Sequence, residues 1–119
     1  MSSETLSQVL DHIDATIQGS TAHLLELLRI PSISTDPAHK NDCDRAATWL
    51  VEDLKSIGFE VSKRPTPGHP MVVAHAGSTG PHVIFYGHYD VQPVDPIDLW
   101  NHPPFDPAIE DGTKGAIIR

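Results

Sequence analysis

Nine of the eleven prolines lie between Pro65 and Pro107. Proline has no amide hydrogen to give to a helical ladder, and its ring clashes with the preceding turn, so that stretch cannot form a long helix. Ahead of it only Pro31 and Pro37 interrupt the chain. The sequence therefore divides into a first half free to be helical and a second half of short extended runs and loops.

In the first half, Leu6, Val9, Leu10, Ile13 and Ile17, then Leu24, Leu25, Leu27 and Leu28, recur at three- and four-residue spacings, the period of a helical apolar stripe. Gly19-Ser20 interrupts the stripe. The pattern predicts a helix over 4–18, a joint, and a second helix from a Ser20 or Thr21 cap to Ile30, where Pro31 disfavours helical geometry in the residue before it. Residues 31–37 read as an ordered connection. A third helix is expected from Asn41 or Asp42 to Ile57, with Ala46, Ala47, Leu50, Val51, Leu54 and Ile57 on one side and Gly58 placed to end it.

After Gly58 the apolar residues fall in short runs at 59–64, 71–76 and 83–86, separated by Pro65-Thr66-Pro67-Gly68 and Gly77-Ser78-Thr79-Gly80-Pro81. These read as strands with hairpin-length connections. Val83-Ile84-Phe85-Tyr86 is apolar on successive residues, so both faces want cover, as in a central strand between helical layers. Helices followed by such a strand predict a three-layer α/β arrangement. Residues 91–107 are too interrupted for a periodic element and too long for an idle connection.

Charge narrows the partners. Eight Lys and Arg against sixteen Asp and Glu leave a net charge of −8, a field that repels nucleic acid and anionic membrane surfaces alike. Cys43 is the only cysteine, so neither an intrachain disulfide nor a multi-cysteine zinc cage can form, and a small buried side chain suits it better than a nucleophile. The opening residues have no basic flank and no apolar run of signal or membrane length, so a cytoplasmic protein without a membrane span is expected.

Gly87-His88-Tyr89-Asp90 follows directly on the apolar run, where loops of an open α/β sheet carry ligand sites. In extended backbone, residues two apart share a face at roughly 6.6 Å, so the Asp90 carboxylate can meet the His88 imidazole. A histidine whose one ring nitrogen is held by a carboxylate is fixed in tautomer and angle, and its other nitrogen is available to a metal. Taken by itself, a His-x-Asp triplet is more often a solvated or structural pair. The other seven histidines, His12, His23, His39, His69, His75, His82 and His102, have no motif around them and read as solvent or turn residues.

The context is more specific than the triplet. GHYDVQPV, then Trp100, then PPFDPAIEDG, preceded by LLELLRIPSIS, resembles the motif block of the zinc-dependent aminoacylase and dipeptidase-type metallopeptidases, with Val91-Gln92-Pro93 leaning toward the dipeptidase-like branch. That family includes carnosinase-like dipeptidases, glutamate carboxypeptidases, acetylornithine deacetylases and succinyl-diaminopimelate desuccinylases. The resemblance implies that His88 ligates one of two zinc ions, other divalent metals being possible, and that Asp90 is the catalytic aspartate clamping its ring. It implies that Trp100, Pro104 and Phe105 pack beside the site.

It further implies that residues 1–119 are an incomplete N-terminal portion of a three-layer α/β/α catalytic domain with a mixed sheet. Helices would lie at about 4–57, strands at about 59–88 and the motif loop at 87–111. The family's paired aspartates, its Glu-Glu pair with the general base, a further acidic ligand and a late histidine would all follow Arg119. The expected function is that of a fragment of an amide hydrolase for small peptides or N-acyl amino acids, inactive alone, dimeric only if the family's inserted domain is present. An apolar sheet edge at 83–86 is expected to make such a fragment marginally stable or prone to association. The rival reading is a non-catalytic, acidic α/β interaction module that retains the motif as scaffold. A one-histidine metal-storage protein is a third reading, which the spacing of the other histidines does not favour.

Overall fold

The computed structural model describes residues 3–119. It is an α/β chain, as expected. In order it comprises α1 (Ser3–Leu28), a 3-10 turn (Pro37–His39), α2 (Lys40–Ser56), β1 (Glu60–Arg64), β2 (Met71–His75), a second 3-10 turn (Ile97–Leu99), β3 (Ile109–Gly112) and β4 (Gly115–Ile118). The strands form two separate antiparallel hairpins, β1 with β2 and β3 with β4.

The core is one face of α2 together with Ile30 and Ile33, which follow α1 and are 8% and 5% exposed. Cys43, Ala46 and Ala47 have no exposure, and Val51 retains 8%. Three small side chains on one face let the first hairpin approach the helix backbone closely, and α2 packs against both β1 and β2. Leu50 and Leu54 flank this contact half-buried, while Ile57, expected on the same side, is exposed. Gly58 ends the helix with φ +94°, a conformation open to glycine without steric cost. The hairpin pairs Val61 with Ala74 and Lys63 with Val72. Lys63 reaches back to Asp44 on α2 at 2.8 Å.

Cys43 lies at the centre of this contact. Burial pushes its thiol pKa up, and the charges of Asp90 and Asp42 add to the effect. A buried, protonated thiol is a poor nucleophile, so iodoacetamide should label Cys43 only after denaturant is added. Rapid labelling of the native protein would contradict this packing.

Three expectations need correction. Gly19-Ser20 does not break the first helix, which runs unbroken from Ser3 to Leu28. A glycine in an exposed helix costs only about 1 kcal/mol relative to alanine, and Thr21, read as a cap, donates its hydroxyl to the Ile17 carbonyl within the helix. Residues 83–86 are not a strand: they carry no ladder, and Val83, Ile84, Phe85 and Tyr86 are 86–95% exposed. An apolar run becomes a central strand only where neighbouring strands offer it hydrogen bonds, and none lies beside it among the described residues. Finally, residues 109–118 form a hairpin, turning at Thr113-Lys114 between Gly112 and Gly115, where a loop was expected up to residue 111 and no element was assigned beyond it.

The N-terminal part of α1 is also open, with Leu6, Val9, Leu10, Ile13 and Ile17 each about half exposed. The radius of gyration is 17.3 Å, against about 13.5 Å for a compact domain of this length. Among the described residues no helix is long and apolar enough to cross a membrane.

Candidate functional site

Residues 32–34, just beyond α1, run beside residues 89–91. The link is a parallel bridge between Ile33 and Val91, in which the Val91 amide donates to the Ser32 carbonyl at 3.0 Å. Pro31 disfavours helical geometry in the residue before it, and α1 has already ended at Leu28, so residues 32–34 are free to bridge to another segment. Side chains reinforce it. The Ser32 hydroxyl, 3% exposed, donates to the Tyr89 carbonyl at 2.8 Å, and the Ser34 hydroxyl donates to Asp90 Oδ2 at 2.6 Å. On the other side, the Tyr89 hydroxyl donates to the Pro70 carbonyl at 2.6 Å. Burial pushes the Tyr89 phenol pKa up and so keeps it a donor. His69 holds the Ser34 carbonyl through Nε2 at 2.8 Å, tying the first hairpin's turn to the same frame.

This frame presents the two residues singled out by the sequence, and it brings them together. His88 Nδ1 lies 3.1 Å from Asp90 Oδ1 and 2.9 Å from the Asp90 carbonyl oxygen. Both partners of an ionised Asp90 are acceptors, so Nδ1 carries the proton and Nε2 keeps its lone pair. The Ser34 hydrogen bond holds the Asp90 carboxyl below its usual pKa, against an opposing contribution from burial, with the His88 contact a smaller aid. Asp90 is thus an anion at neutral pH. The His88 side chain remains 74% exposed, open to a ligand.

One imidazole nitrogen is a single metal ligand, whereas a catalytic zinc takes three protein ligands and an open position. Among the described residues no group of three His, Cys, Asp or Glu side chains could hold a metal ion. The dyad fits one corner of a metal site, and residues 3–119 do not build the rest.

Sequence reasoning missed Ser32, Ser34, Tyr89 and His69. The Ser-x-Ser after Pro31 was the available signal, since two hydroxyls on one side of an extended segment can face a partner strand. Three other histidines read as solvent or turn residues instead hold carboxylates. His23 meets Asp53 on α2 at 3.0 Å, His39 meets Asp42 at 2.8 Å, and His102 contacts Glu110, whose other oxygen takes Arg119 Nε at 3.1 Å. Trp100 is half exposed and closes its own loop by donating Nε1–H to the Val94 carbonyl at 2.8 Å. A depression of about 300 Å³ beside it is lined by Pro96, Leu99, Trp100, His102 and Arg119, and does not include the dyad.

No family model matches the chain. Individual proteins do. A succinyl-diaminopimelate desuccinylase of Hahella chejuensis is 36% identical over 88 residues, 74% of this chain and 21% of that protein. One from Dechloromonas aromatica is 43% identical over 63 residues, 53% of this chain and 17% of that protein. Among solved structures, the di-peptidase Dug1p from Saccharomyces cerevisiae superposes with a TM-score of 0.82 at 28% identity, over 92% of this chain and 26% of that one. The family matched is that of the aminoacylase and dipeptidase-type hydrolases. The chain spans about a fifth of the length of the curated relatives it matches. The chain superposes on part of that di-peptidase chain, and its strands stand as two separate hairpins.

Proposed function

We propose that residues 1–119 form the N-terminal part of a cytoplasmic amide hydrolase of this family, acting on small peptides or N-acyl amino acids. In this reading His88 is one ligand of a divalent metal, zinc by the family's habit, and Asp90 is the residue that orients it. The observation that carries the reading is the relay Ser34–Asp90–His88, which fixes the imidazole through Nδ1 and leaves the rest of the ring open. A carboxylate so placed sets tautomer and ring angle, and raises the basicity of the free nitrogen. When bound, the metal would polarise the scissile carbonyl and activate water. This chain's own contribution is to hold one ligand and exclude the wrong tautomer, and the remaining ligands and the base come from outside it.

Two measurements test this. The purified, zinc-supplied chain should show no turnover of dipeptides or N-succinyl amino acids, and measurable hydrolysis would overturn the assignment of the missing groups. Grafted in place of the corresponding segment of a desuccinylase relative, it should restore activity, and His88→Ala in that chimaera should lower kcat/KM by at least about 1,000-fold, on the order of 4 kcal/mol of transition-state stabilisation. The alternative, an acidic interaction module, draws on the open apolar stripe of α1. It predicts a chimaera that is indifferent to His88→Ala.

A further inference from the structure

Five histidines, His23, His39, His69, His88 and His102, each engage a carboxylate or a carbonyl. Among the described residues the His12 ring has no partner, and His75 and His82 differ from all six. Among the described residues neither ring has a hydrogen-bond or ion-pair partner. The two meet each other instead, edge to face, with centroids 6.1 Å apart and planes at 81°.

The local fold creates this meeting. His75 ends β2, and the chain then reverses through Gly77 and Gly80, with φ +76° and +92°. Those are left-handed conformations that residues with a Cβ rarely adopt. The reversal brings His82 back over His75, six intervening residues notwithstanding. Both residues are exposed, so their ring nitrogens are open to solvent and to ions. Glu60 is the register partner of His75 across the hairpin, and directly opposed residues share a face of the sheet. This adds negative charge beside the rings.

We propose that His75 and His82 form a two-imidazole site for a borderline divalent transition metal (zinc, copper or nickel), separate from the His88–Asp90 dyad. Imidazole nitrogen suits these ions, whereas magnesium and calcium want oxygen ligands. With metal–nitrogen bonds near 2.0–2.1 Å and a tetrahedral angle, two ligating rings have centroids about 5 Å apart. The observed pair must close by about 1 Å and turn so that a nitrogen of each ring faces one point, by side-chain rotation of an exposed strand-end residue and an exposed loop residue. Waters complete the coordination, so the ion is exchangeable rather than structural.

The test is a zinc titration of the full chain followed through the histidine side-chain ¹⁵N resonances. His75 and His82 should shift together with one binding constant, and magnesium should shift neither. His82→Asn should abolish the zinc response of His75, His75→Asn that of His82, and each should weaken binding at that site at least about tenfold, or 1.4 kcal/mol. His88→Asn should leave the coupled response intact, which separates this site from the dyad. Independent titration of the two rings, or a zinc response of His75 that survives His82→Asn, would overturn the proposal. His82 lies in an exposed loop, so its replacement does not endanger the fold.

Discussion

Replacing Ala46 with aspartate should abolish cooperative folding of the α2 and first-hairpin unit at room temperature. Ala46 has no exposure and sits against the sheet between Cys43 and Ala47, where a carboxylate has neither water nor a cation. Burying an uncompensated charge costs several kcal/mol, and the added volume strains a contact built on small side chains. Small domains have only about 5–15 kcal/mol in total, and this one has a thin core. By contrast, Lys63→Ala removes an ion pair with Asp44 that is open to solvent on both sides, so its cost should stay below about 1 kcal/mol. Urea unfolding followed by circular dichroism compares the two. If Ala46→Asp kept the wild-type midpoint, α2 would not be packed as described.

The second large effect is expected at Ile33. It is 5% exposed and forms the bridge to Val91, so Ile33→Ala loses buried methylenes and leaves a gap, at a cost of about 2–4 kcal/mol. The loss should be felt at the site before the core. Amide exchange at Val91, whose hydrogen bond goes to Ser32, should accelerate by at least about 30-fold, since each 1.4 kcal/mol is a factor of ten. Amides in β1 and β2 should keep their protection. Equal acceleration in both places would show that Ile33 supports the whole fold rather than the frame beneath His88 and Asp90.

The parts legible in the sequence are those whose signals are local. Ala46, Ala47 and Val51 at helical spacing, with Gly58 behind them, mark α2 to within a residue or two, and the proline- and glycine-rich turn after Arg64 marks the first hairpin. The His88–Asp90 pairing is local as well, because two-residue separation suffices to bring the groups together. What holds that pair is not local. Ser34 meets Asp90 across 56 positions and Ser32 meets Tyr89 across 57, and no periodicity records such a meeting. The misreading of Val83-Ile84-Phe85-Tyr86 has the same origin: four apolar residues specify a wish for cover, while strand formation depends on neighbours elsewhere in the chain. At Gly19 the error was of magnitude, a penalty of about 1 kcal/mol taken for a break. The hairpin of β3 and β4 went unseen because the motif loop was read through residue 111, three residues into β3.

The bridge between residues 32–34 and 89–91 also bears on the order in which the chain assembles. Joining Ser32 to Tyr89 directly in an unfolded chain closes a loop of 57 residues, which costs on the order of 3.5 kcal/mol in the length-dependent part of loop entropy alone. The contacts of α2 with the first hairpin span far shorter separations and need no such closure. Once they exist, Pro70 is already fixed, and the Tyr89 hydroxyl has only 19 positions to span to reach it. The bridge that holds the frame beneath the His88–Asp90 dyad is therefore expected to form after the α2 and first-hairpin unit and to open before it. Its geometry would then report on the integrity of everything upstream.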